Sequence, residues 1–155
     1  MITTKSVNEL VNIFKILANA NAMVNDFGFG PGYNLNTNER QYPIVWIEPN
    51  QFGAIRDRPG QGNFQVFNMG FNIYVVDRMM KGDTNFDDIL SDTNFIMQTL
   101  ITDIDQSEQF TNLGINTIGN ISWYPIFEGG NDNYVGYKAT IVLAIPNTLT
   151  PCTTP

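Results

Sequence analysis

The chain predicts an α+β domain: a mostly antiparallel sheet of about four strands, arranged as two long hairpins, with two helices packed on one face. Three observations lead there. Apolar residues recur at three- and four-residue steps in two stretches, which is the helical period. Four other stretches are rich in β-branched and aromatic residues, the last of them in strict alternation. The strand-like stretches come in two pairs with one helical stretch between them. At 155 residues the chain is long enough for one core and short for two, so residues 1–146 form a single domain and 147–155 an extended tail.

The first helix opens at Ser6-Val7-Asn8-Glu9, where a hydroxyl and a glutamate three residues on have the spacing of a capping box. Val7, Leu10, Val11, Phe14, Leu17 and Ala18 then make one apolar stripe that fades near Met23. The run Phe27-Gly28-Phe29-Gly30-Pro31-Gly32 stops it, since glycine and proline oppose helical hydrogen bonding. This run follows a helix and leads to no Gly-Lys-Ser/Thr, so it reads as a tight exit and not as a phosphate loop.

Tyr42 to Glu48 reads as a strand closed by Pro49. A long loop is expected over Asn50–Gly62, which holds Gly53, Pro59, Gly60 and Gly62. A second strand runs from Asn63 to Asp77, with Phe67, Met69, Phe71, Ile73 and Val75 in one phase and Phe64 and Val66 in the other. A bulge near Val66–Phe67 would reconcile the two phases.

After a turn at Lys81–Thr84, a helix is expected from about Phe86 to Asp105, burying Ile89, Ile96, Met97, Leu100, Ile101 and Ile104. Ile115 to Phe127 and Tyr134 to Ile145 form the second hairpin across the loop Glu128–Asn133. In its last strand Val135, Tyr137, Ala139, Ile141, Leu143 and Ile145 take one face, and Gly136, Lys138, Thr140 and Val142 the other. Pro146 ends the pairing.

Composition narrows the chemistry. The net charge is −7 with only 8 lysines and arginines, so counterion release gives no basis for gripping nucleic acid. Charged residues make up 15 % of the chain, well under the usual quarter. The surface is therefore rich in amides and hydroxyls, which cost less to desolvate against a neighbour than ions do. No histidine is present to serve as a base, and the one cysteine, Cys152, sits in the tail. Asp83, Asp87 and Asp88, or Asp103, Asp105 and Glu108, lack the spacing of a calcium loop and read as charges at helix ends. No cofactor or metal is expected, and the sequence reads as a non-enzyme. It has no apolar run of membrane-spanning length and no signal-like segment at Met1–Lys5, so the expectation is a product made in the cytoplasm without membrane contact.

A long glycine-rich loop costs closure entropy and persists where it has a use. Phe52, Arg56, Asp57 and Arg58 in the first loop, with Glu128 and Asp132 in the second, are the candidate subunit contacts: the arginines to pair with carboxylates on a neighbouring copy and Phe52 to anchor. The alternative is a small-ligand or carbohydrate site built from Trp46, Trp123, Tyr124 and Tyr134.

The helix ending in Asn25-Asp26-Phe27-Gly28-Phe29-Gly30, followed by Tyr42-Pro43-Ile44-Val45-Trp46-Ile47-Glu48-Pro49, resembles the start of tail terminator and neck ring proteins of tailed bacteriophages. Phe71–Asp77, the Asp88–Asp105 helix with Ser91-Asp92-Thr93, the strand end Trp123–Glu128 and a last strand closing on Pro146 with a cysteine soon after are similar to that family as well. The resemblance implies a structural virion protein, a homo-oligomeric ring of six or twelve copies at the head–tail junction. Its implied partners are copies of itself, the portal or connector above, and the tail tube or nozzle below. DNA would pass through the ring to be ejected without specific binding.

Overall fold

The computed structural model describes residues 7–35, 40–57, 65–79, 85–128 and 134–146. Its elements in chain order are α1 (Val7–Asn19), β1 (Asp26–Phe29), a one-turn 3-10 helix (Gly32–Leu35), β2 (Ile44–Asp57), β3 (Gln65–Arg78), α2 (Phe86–Asp105), α3 (Glu108–Asn112), β4 (Asn116–Thr117), β5 (Trp123–Glu128) and β6 (Tyr134–Pro146). The α+β class is as expected. The sheet is larger and mixed: six strands run in the order β1-β2-β3-β6-β4, with β5 also on β6.

Both expected hairpins are present. β2 pairs antiparallel with β3 from Ile44↔Val76 to Asp57↔Gln65, and β5 with β6 from Trp123↔Ala139 to Glu128↔Tyr134. β3 lies against β6 without a break, from Val66↔Pro146 to Arg78↔Tyr134, so the bulge expected at Val66–Phe67 is absent there. It was not needed, because Val66 is buried on the second face of the sheet while Phe71, Ile73 and Val75 are buried on the first. Phe67 and Met69 pack against the first-face core.

The register breaks lie on β2 instead, between Pro49 and Gln51 and between Phe52 and Ala54. They correct the loop expected over Asn50–Gly62, whose first part, Asn50–Asp57, is strand. Proline and glycine read as breakers in sequence, yet here Asn50 and Gly53 are the extra residues of two bulges, a place where a strand accepts irregular backbone.

Two further corrections concern short strands. β1 pairs parallel with β2, Asp26↔Ile44 to Phe29↔Ile47, in the segment read as a simple helix exit. A Cβ on Gly28 would penetrate the ring of Trp46, so glycine there is a packing requirement. The strand expected from Ile115 to Phe127 is split into β4 and β5. Gly119, at a φ of 71°, turns the chain between them in a conformation that side-chain-bearing residues rarely adopt.

All three α-helices contribute to the first-face core. Leu10, Ile13, Phe14 and Ala18 of α1, Ile96, Met97, Leu100, Ile101 and Ile104 of α2, and Phe110 of α3 meet Val45, Ile47, Phe71, Ile73, Val75, Ile141 and Leu143. Every residue expected on the buried stripe of α2 is buried. Phe14 stands edge-on to Phe71 at 5.2 Å and to Phe110 at 5.6 Å between centroids, the offset geometry that aromatic quadrupoles favour. The N-terminal half of the crossover from β1 to β2 lies on the second face, where Leu35 joins Ile44, Trp46, Val76 and Tyr134 in a smaller core. Ser6 of the expected capping box, the expected turn Lys81–Thr84 and the expected tail, residues 147–155, lie outside the described residues.

Candidate assembly surface

Hydrogen bonding along the sheet fixes which backbone groups are left open. The Gly30 amide donates to the Ile47 carbonyl at 3.0 Å, so Ile47 turns its polar groups toward β1. Alternation gives Pro49 the same direction. β1 has ended by then, and the proline nitrogen, which has no hydrogen to donate, faces an edge with no strand beside it among the described residues.

The other margin follows the same rule. Ile118 donates to the carbonyl of Val142 at 2.9 Å, so even-numbered residues of β6 turn toward β4 and β5. Lys138, Gly136 and Tyr134 are therefore the ladder partners of Tyr124, Ile126 and Glu128. Trp123, Pro125 and Phe127 turn their backbone polar groups outward. The imide nitrogen of Pro125 thus also faces an edge with no strand beside it among the described residues, and neither proline removes a bond from the described sheet.

β5 is apolar on both faces at this edge. Tyr124 is 50 % and Phe127 59 % exposed. Phe127 stacks on Phe86 at the start of α2, with centroids 5.7 Å apart, and the Trp123 indole N–H donates to Asn94 Oδ1 on the same helix at 2.9 Å. α2 therefore braces the edge strand.

On the second face a polar strip crosses three strands at register positions Glu48, Asn72 and Thr140. Glu48 Oε1 accepts from Asn72 Nδ2 at 2.8 Å and from the Tyr74 hydroxyl at 3.0 Å, and Oε2 accepts from the Gly32 amide at 2.6 Å. The Thr140 hydroxyl donates to Asn72 Oδ1 at 2.9 Å. Burial alone would raise the Glu48 carboxyl; the bonds from Asn72, Tyr74 and Gly32, with the charge of Lys138, outweigh it and hold the carboxyl below its ordinary value. Burial, reinforced by the Glu48 carboxylate, pushes the Tyr74 hydroxyl up. Burial would lower Lys138, but its bond to Tyr74 and the charges nearby leave it raised. The network ties the 3-10 turn to the sheet and keeps Glu48 ionised.

Cations cap aromatic rings on this face. Arg40 lies 4.8 Å from the Trp46 ring, Arg78 4.8 Å from Tyr42 and Lys138 5.3 Å from Tyr74. Sequence reading missed the whole network, although its signal was present: Glu48, Asn72, Tyr74, Lys138 and Thr140 all fall in the phase opposite the main apolar runs.

Of the six candidate contact residues, the backbone of Phe52, Arg56 and Asp57 lies on β2, opposite Met69, Val66 and Gln65, and that of Glu128 lies on β5 opposite Tyr134. Their side chains, with all of Arg58 and Asp132, lie outside what is described. Phe52, Arg56 and Asp57 thus belong to one open edge and Glu128 to the other, on opposite sides of the sheet. Of the four aromatics suggested for a ligand site, Trp46 and Tyr134 are core residues, 1 % and 8 % exposed. The Trp46 N–H is used by the Gly30 carbonyl at 3.0 Å. Asp87 and Asp88 are exposed in the first turn of α2, and Asp105 accepts a bond from Thr117 at 3.0 Å. Among the described residues no three His, Cys, Asp or Glu side chains gather as a metal site, and no helix is long and apolar enough to cross a membrane. The chain matches no protein-family model and no curated protein.

Proposed function

We propose that this chain is a structural virion protein that closes into a homo-oligomeric ring at the phage head–tail junction, as a neck or tail terminator subunit joining portal to tail. The observation that carries the reading is a pair of edges on opposite margins of one sheet, β2 beyond Ile47 and the outer side of β5, that have no strand beside them among the described residues. Two different surfaces on opposite sides are what a head-to-tail contact requires, and such contacts generate rings when the rotation closes. The resemblance of the succession of elements to that of tail terminator and neck proteins supports the proposed location. The amide-rich, weakly charged composition suits a surface that is buried against neighbours.

The net charge of −7 gives the channel a use for acidity: a wall of like sign repels phosphates within a Debye length and lets DNA slide past without sticking. The protein acts through shape and symmetry. The test is mass photometry of the purified protein alone and mixed with its cognate portal, with negative-stain imaging of the mixture. The expected result is a ring of six or twelve copies on the portal, whatever the state of the free protein. A single copy bound, or none, would overturn the reading.

A further inference from the structure

We propose that the outer edge of β5 adds, antiparallel, to the open edge of β2 in a second copy of this chain, so that the ring is held by a continuous sheet passing from subunit to subunit. The inference rests on the ring reading and identifies its contact.

Strand sense is the first support. β2 runs opposite to β3, β3 opposite to β6, and β6 opposite to β5. β5 therefore points opposite to β2, and a rotation about an axis roughly along the strands brings β5 of one copy beside β2 of the next in antiparallel sense.

The backbone inventory is the second. β5 offers the N–H groups of Trp123 and Phe127 and the carbonyls of Trp123, Pro125 and Phe127 outward. β2 beyond Ile47 has a ladder on the β3 side only among the described residues. Unpaired groups of this kind are a ready template for another strand. Pro49 has no donor, so the ladder lies beyond it, toward Asp57.

Apolar flanks are the third. Tyr124 extends from one face of β5 and Phe127 from the other, each half or more exposed, so an incoming strand would be gripped from both sides. A copy of this chain is the occupant because each copy brings one edge of each kind, and head-to-tail pairing uses both with none left over.

The experiment uses full-length chain with Cys152→Ser. One preparation carries Tyr124→Cys, and others carry Ala54→Cys, Ile55→Cys or Arg56→Cys, the positions that Tyr124 meets when β5 pairs with β2 beyond Pro49. The two kinds are mixed, assembled on the portal and oxidised with copper phenanthroline; paired strands bring Cα atoms within disulfide range. In parallel, amide exchange is read at Trp123 and Phe127 before and after assembly. The proposal expects a mixed disulfide at one of the β2 positions and exchange slowed by about tenfold or more at both amides. Rings that form with no mixed disulfide and unchanged exchange would overturn the edge contact while leaving the ring. Disulfides between two Tyr124→Cys copies would replace it with a two-fold contact. Absence of any ring would overturn both readings.

Discussion

Asn72 Nδ2 lies 2.8 Å from Glu48 Oε1, on the neighbouring strand at the same register position. The carboxylate is thereby fixed at the centre of a network that reaches Gly32 on one side and Thr140 on the other. Glu48→Ala should cost about 2–3 kcal/mol, the value of bonds to a charged acceptor after competition with water, read as a shift in the urea midpoint.

The same group predicts an acid limb. Its folded pKa lies below the ordinary 4.5, so its contribution is complete above that value and is lost as pH falls through the folded one. Asp77 acts in the opposite direction: burial, with Asp92 nearby, raises its carboxyl above 3.8, and its cost is relieved as pH falls. Thermal midpoints from about pH 3 to pH 7 should therefore fall less steeply on the acid side in Glu48→Gln than in the parent. Identical slopes would remove Glu48 from the account of acid stability.

Gly28→Ala places a methyl in the space of the Trp46 ring. Trp46 is buried and capped by Arg40, so the ring has little room to yield. A loss of about 2–3 kcal/mol is expected, with a change in near-ultraviolet circular dichroism from the displaced indole.

Asn94→Ala removes the acceptor of the Trp123 N–H. The chain has two tryptophans, and Trp46 is buried, so a red shift in fluorescence reports Trp123 alone. The expected destabilisation is about 1 kcal/mol.

Pro125→Val restores a donor to the outer edge of β5 without touching its ladder to β6. Edge prolines blunt strand-to-strand association, so this variant should self-associate at a protein concentration at which the parent does not, as seen by sedimentation velocity. No change in association would mean that the proline nitrogen does not limit that edge.

How far the sequence reached can be traced through particular residues. The stripe Ile89 to Ile104 and the alternation Val135 to Ile145 reported their elements correctly, because each is long and buries one continuous face. Pro49, Gly53 and Gly28 misled. Each is a breaker by local propensity, and each is acceptable here for a reason set by the rest of the sheet: an edge with no strand beside it among the described residues, a bulge opposite β3, or the ring of Trp46. The polar network on the second face escaped notice because its members are spread over β2, β3 and β6 and converge only through register. The candidate contact residues read as loop residues, whereas Phe52, Arg56 and Asp57 lie on β2 and Glu128 on β5; their division between two separate edges exists only once strand order is known.

The proposed ring requires that copies of this chain meet through opposite margins of their sheets around an axis. A cryo-electron microscopy reconstruction of the neck tests it directly. The expected result is a closed ring of identical subunits with β5 of each beside β2 of the next. One isolated copy in the particle, or a ring whose subunits touch only through their helices, would contradict it.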